Sequence, residues 1–276
     1  MRVFAERWTE GDTPARLSFR RAGVRTVVEA AFATSPLRVL TPRNHGRAAW
    51  AYTSTLGGGM VDGDAVRLRL EVGPGAAAVL ATQGQNRVYR SRRGCRSELA
   101  AEVREGGFLA LLPDPTVCFA GARYQQKTEL RLAPGAAAVA VDVLASGRSA
   151  CGERWAFSQY RGELSLQSVD RLLLRERLLL DPAHGALAER LGRFDAICTV
   201  LLAGDSLRAE RDELARRICA SPLRARADRI EQANELEGAL LVRIAAVSLE
   251  DALRAIRGHL DFLPHLLGDD PWARRP

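Results

Sequence analysis

The chain has 276 residues, 47% of them apolar and 26% charged, a globular balance that excludes a wholly disordered polymer. Net charge is +7, and Lys127 is the only lysine among 40 basic residues, so arginine carries the positive balance. Most of those arginines are interleaved with Asp and Glu and aromatics make up only 6%, which argues against a nucleic-acid face and fits an acidic protein partner better.

In chain order, residues 1–12 are charged and lack the apolar core of a signal peptide. No apolar run nears the ~20 residues that span a bilayer, so a cytoplasmic protein without a membrane segment is expected. Strand-like runs then follow one another at 17–20, 26–31, 37–40, 50–55, 65–72, 78–82, 98–103, 108–112, 125–132, 137–144, 155–160 and 163–180. Gly- and Pro-rich turns separate them at the spacing of a sandwich, barrel or solenoid. VGPGAAAV at 72–79 is echoed 60 positions on by LAPGAAAV at 132–139. In each copy an alternating apolar segment enters a Pro-Gly turn and a small-residue strand leaves it. That is period-2 β geometry, and its repetition predicts stacked, solenoid-like layers.

Beyond residue 190 the pattern changes. Residues 195–202 (DAICTVLL) predict a buried strand, and 207–220 an amphipathic helix with Leu207, Leu214 and Ile218 on one face. Residues 239–247 predict another strand. Ser248 is a suitable N-cap for a helix through 258, with Glu250 and Asp251 in its positive first turn. The expected fold is therefore mainly β, stacked β-solenoid-like strands with a small C-terminal β-α-β-α subdomain. Its units are a β-rich core at 1–190, an α+β subdomain at 191–267 packed on that core, and a flexible tail at 268–276.

Catalytic constellations are scarce. No GxSxG elbow and no phosphate loop ending in Gly-Lys-Ser/Thr is present, and one lysine leaves little room for Schiff-base chemistry. The triple glycine Gly57–Gly59 leads into β-alternating AVRLRLEV rather than a helix, so it reads as a tight bend. His45, His184, His259 and His265 show no metal-ligand spacing. Cys95, Cys118, Cys151, Cys198 and Cys219 are scattered without a CxxC pair, against a disulfide framework or zinc site. What remains are polar residues where strands turn. Asp62 and Asp64 follow the triple glycine and, on a strand, would share a face, the arrangement a hydrolase with a carboxylate pair would need. Asp142 interrupts the apolar strand 137–144. It is either salt-bridged to Arg148 or Arg154, or lines an internal polar passage.

The segments GGGMVDGD (57–64) and TQGQNRVYRS (82–91) resemble the signature block of the urease accessory protein UreD, or UreH, family. Leu112-Pro113-Asp114-Pro115, Phe119-Ala120-Gly121-Ala122-Arg123 and Gly147-Arg148…Gly152-Glu153-Arg154-Trp155 resemble its downstream motifs, in order over about 17–182. The resemblance implies a non-enzymatic scaffold in nickel-urease maturation, binding urease apoprotein, UreF and UreG. It implies a largely β fold and no tightly bound cofactor, nickel being cargo in transit through an internal tunnel. Asp64, Asp142 and Glu153 become the candidate residues of that passage or of a partner face.

Overall fold

The computed structural model describes residues 14–43, 46–169, 171–222 and 224–273. Residues 1–12, on which the signal-peptide expectation rests, and His45 lie outside the described residues. The strands are β1 (Ala15–Ala22), β2 (Arg25–Phe32), β3 (Leu37–Leu40), β4 (Ala49–Thr55), β5 (Ala65–Val72), β6 (Ala77–Thr82), β7 (Asn86–Val88), β8 (Cys95–Val103) and β9 (Phe108–Leu112). They continue with β10 (Thr116–Cys118), β11 (Arg123–Leu132), β12 (Ala137–Ala145), β13 (Gln159–Ser168), β14 (Arg171–Leu180), β15 (Ala196–Ala203), β16 (Arg229–Leu236) and β17 (Ala239–Ala246). The α-helices are α1 (Leu187–Arg190), α2 (Arg208–Ala220), α3 (Leu249–His259) and α4 (Leu263–Leu267).

The chain winds as a solenoid between two sheets. The first runs β14-β13-β11-β8-β5-β1-β2, the second β16-β17-β15-β12-β9-β6-β4-β3. Each coil rises on the first sheet and returns on the second, as in β5–β6, β8–β9 and β11–β12. Val72 pairs with Val103, 31 residues on, and Val103 pairs with Leu132, 29 further. The 60-residue repeat is therefore two coils, with an unmatched coil stacked between the matching ones. The three turns nonetheless share one geometry. Ala76, Gly107 and Ala136 each donate back to the residue three before, and Gly75, Gly106 and Gly135 all sit at positive φ, as type II turns require. Arg104-Glu105-Gly106 makes this turn without proline, which is why sequence matching skipped it.

Burial explains the two strand compositions. The first sheet faces solvent on one side, so β5 alternates buried and exposed along AVRLRLEV. The second sheet is covered on both faces, so β6 and β12 are small and apolar apart from Thr82 and Asp142. One core lies between the sheets, with Phe19, Leu70, Val103, Leu130, Leu109 and Leu201. The other lies between the second sheet and α2–α4, where Trp50, Val139 and Val200 meet Leu214, Ile256 and Leu263. Burial of this kind contributes about 1.5–3 kcal/mol per large apolar side chain.

Several expectations change. Residues 155–158 form a bend, not a strand. Trp155 has φ 54° and its indole Nε1 donates to the Phe194 carbonyl at 2.9 Å. The spaced aromatics that mimicked a strand instead pack on one another, Trp155 edge-on to Phe157 at 6.1 Å. The single run 163–180 is a hairpin, β13–β14, reversing near Val169 (φ 55°) without a glycine. The β-α-β-α tail contains an additional strand, β16, whose polar sequence RIEQANEL suits a sheet edge. With β15 and β17 it extends the second sheet antiparallel beyond β12. Residues 268–273, expected to be a flexible tail, pack: Pro271 is buried and Trp272 lies against the second core, with the Arg257 guanidinium 5.7 Å from its ring centre. Residues 274–276 lie outside the described residues.

Candidate functional site

Along the first sheet, inward positions change character from one end of each coil to the other. Near the Pro-Gly turns they are Leu70, Val72, Val103, Leu130 and Leu132. At the opposite end they become Ser97, Tyr124, Gln126 and Thr128. There the sheets do not close on each other, and a cavity of about 510 Å³ lies between them. Its second-sheet wall includes Leu80, Thr82, Leu111, Thr116 and Asp142.

Asp142 and Asp114 are both on the lining, and Asp142 is the one that stands within the apolar strand β12. The Gln126 side-chain amide donates to its Oδ2 at 2.7 Å, and the Tyr160 hydroxyl lies 3.4 Å from the same oxygen. Asp142 is half-buried and lines the cavity. Burial raises its pKa above the ordinary carboxylate value, with the Gln126 and Tyr160 contacts partly offsetting that rise. Burial likewise pushes up the phenols of Tyr124 and Tyr160 and the Cys118 thiol. Polar contacts continue along the wall. Asn86 Nδ2 donates to the Tyr124 hydroxyl at 3.1 Å, and the Thr82 hydroxyl donates to Asp114 Oδ2 at 3.0 Å. Oxygen and amide groups therefore dominate the polar lining, and among the described residues no cluster of three or more His, Cys, Asp or Glu could grip a metal ion.

The structure separates the three residues singled out from sequence. Asp142 lines the cavity; Asp64 and Glu153 do not. Asp64 Oδ2 accepts from the Val61 backbone N–H at 2.8 Å and so closes its own turn. Glu153 forms a bidentate ion pair with Arg148 and accepts from the Ala120 N–H at 3.2 Å, and the Arg148 contact holds its pKa below the usual value. The salt-bridge account of Asp142 is overturned, because Arg148 is taken by Glu153 and Arg154 by Asp195. The strand-face pair of Asp62 and Asp64 is not formed either. Both lie in the turn before β5, and Asp62 Oδ1 accepts from the Arg93 and Gly94 backbone N–H groups at 2.7 and 3.1 Å.

The sequence motifs meet at one corner of the solenoid. Met60 bridges to Val88, β7 pairs with β10, and Tyr89 packs edge-on to Phe119 at 5.1 Å with the Arg148 guanidinium 4.3 Å from the Phe119 ring centre. Gly59 is required here, since a Cβ would fall 2.6 Å from the Arg87 carbonyl and 2.7 Å from the Tyr89 ring. The triple glycine is thus a packing bend. His259 Nε2 lies 3.0 Å from Glu231 Oε2 and its Nδ1 3.2 Å from Arg217, on the α2–α3 side. Gln126 and Tyr160 are the site residues that sequence reading missed. Counting alternate positions back from Leu132 places Gln126 inward, so its signal was present; Tyr160 was hidden in the misread strand at 155–160.

With this geometry in view, comparison with known sequences gives one consistent result. A family model described as UreD urease accessory protein matches residues 12–275. A urease accessory protein UreD from Sorangium cellulosum is 46% identical over 260 residues, covering 94% of this chain and 83% of that protein. One from an Anaeromyxobacter species is 38% identical over 263 residues, covering 95% and 89%. A urease accessory protein D from rice, Oryza sativa subsp. indica, is 31% identical over 279 residues, covering 90% and 91%.

Proposed function

The chain belongs to the UreD family of urease accessory proteins, and from that membership we propose that it is a non-catalytic scaffold in urease maturation, passing nickel towards the urease active site. In this reading it binds urease apoprotein together with UreF and UreG, in the cytoplasm. Unpaired thiols at all five cysteines support a reducing setting.

The observation that carries the passage is Asp142, a carboxylate on the wall of a half-open cavity of mixed polar and apolar lining, without a His or Cys cage around it among the described residues. A divalent cation held by a tight nitrogen and sulfur set would stay. One met by sparse carboxylates (Asp142, with Asp114 already engaged by Thr82), amides and hydroxyls exchanges readily. Asp142 attracts the ion, Gln126 orients the carboxylate, and Asn86, Thr116 and Thr82 offer neutral oxygens along the wall. Nickel is cargo here, and no bond is made or broken beyond ligand exchange.

The test is co-expression of the urease structural subunits and the remaining accessory proteins with and without this chain, in nickel-supplemented cells. The expected result is that omission lowers the nickel content and the activity of purified urease at least tenfold. Equal nickel content in both cultures would contradict the proposal.

A further inference from the structure

The outward face of the first sheet carries an ordered pattern of charge. Register places Ala65, Arg96, Gln125, Arg161 and Leu179 side by side on β5, β8, β11, β13 and β14. Neighbours in such a row are ~4.8 Å apart, so Arg96 and Arg161 flank Gln125 at about 10 Å from each other. Arg123 lies two residues before Gln125 on the same face, ~6.6 Å away. Their chain neighbours Cys95, Tyr124 and Tyr160 are buried inward, and Arg96, Arg123 and Arg161 are exposed. Among the described residues none of these three arginines forms an ion pair. The field of Arg123 reaches Asp181, but the Asp181 carboxylate is already engaged by the Ala183 N–H and Gln159.

The next row differs. Arg67, Glu98, Lys127, Glu163 and Arg177 stand opposite one another with strictly alternating sign. Glu163 pairs with Arg177 at 3.2 Å and Arg67 approaches Glu98 at 3.8 Å, so this row is largely self-neutralised.

We propose that the Arg96–Arg123–Arg161 corner is a docking surface for an acidic patch on a folded protein partner, and, resting on the reading above, that urease apoprotein presents that patch. Charge complementarity selects this class of partner. Two or three carboxylates at nanometre spacing would satisfy the arginines, while Leu179, 45% exposed beside Arg161, supplies apolar contact. A nucleic acid is disfavoured, because one row away the cations are already paired (Arg67 with Glu98, Arg177 with Glu163, Lys127 with Glu129) and offer an unbroken run of phosphates little to meet. No exposed aromatic lies on these strands for bases to stack on.

The experiment measures binding of immobilised urease apoprotein to the full chain at low and moderate salt, comparing wild type with Arg96→Glu/Arg161→Glu and with the milder Arg96→Gln/Arg161→Gln. Arg20→Glu, at the far side of the same sheet, is the control, and circular dichroism melts verify folding. The reversal is expected to weaken binding at least ~10-fold and to flatten its salt dependence, the Gln pair to do so partially, and Arg20→Glu to leave binding unchanged. Wild-type binding that both corner variants retain in full overturns the surface while leaving the maturation reading intact. Absence of wild-type binding overturns that reading and this surface with it. Tight binding of a 20-bp DNA duplex, lost in the reversal, overturns the choice of a protein partner.

Discussion

Asp142 shows how one residue exchanges stability for a site. Its pKa is raised by burial, so above the unfolded value of about 3.9 the unfolded chain ionises first, and stability falls as pH rises through the folded pKa. Asp142→Asn keeps the acceptor for Gln126 and removes the charge. It is predicted to melt higher than wild type at pH 7–8, by on the order of 1 kcal/mol or ~3 °C, with the gain shrinking as pH falls towards 4. Melts across that range check the sign, and a gain that grows on acidification would contradict it. Asp62 behaves oppositely. Burial would raise its pKa, but the Arg93 and Gly94 N–H groups prevail and lower it, so its contribution is present above the ordinary carboxylate value and lost on acidification. The sequence marked Asp142 because a carboxylate among Ala and Val demands an explanation. It pointed to the wrong partner because Arg148 and Arg154 are close in sequence, whereas Gln126 lies across the cavity on the first sheet and Tyr160 lies in a strand that was misread.

Turns and strands were read unevenly for equally physical reasons. β3, β5 and β9 were predicted at their observed bounds, since apolar periodicity and flanking Gly or Pro delimit them. β7 and β10 span three residues each at solenoid corners, too short for any periodicity to register. β16 is polar because only one edge and part of one face are covered. Close backbone packing between elements is likewise invisible in sequence but decisive in the fold. Gly204 follows β15 with φ 108°, and a Cβ there would lie 2.5 Å from the Ala136 carbonyl and 2.6 Å from the Ala137 Cβ. Gly204→Ala is predicted to cost ~3 kcal/mol or more, through strain at positive φ and a clash that only backbone movement relieves. Gly84→Ala, with nothing within 4 Å of the added carbon, is predicted to change stability by less than about 0.5 kcal/mol. Chemical denaturation of the two variants decides between them, and similar losses would refute the packing argument.

For the molecule as a whole, two stacked sheets enclose a core at the turn end and part around a half-open cavity at the other, and the helices cover the outer face of the second sheet. The solenoid was legible because Pro74 and Pro134 mark equivalent turns two coils apart. The helix cover was foreshadowed by the amphipathic pattern at 207–220 and the Ser248 cap, and the Ala- and Val-rich β6 and β12 are the strands such a cover requires. The cavity itself had no sequence signature beyond Asp142, because inward polar residues at the starts of several strands converge only once the coils are stacked. On the function proposed above, this cavity conducts nickel during urease maturation. The most direct measurement is the nickel stoichiometry of urease matured with Asp142→Leu, alongside isolation of the urease-bound complex. An intact complex with sharply reduced nickel is expected. A complex that falls apart would make Asp142 a structural residue, and full nickel loading through an intact complex would contradict the passage outright.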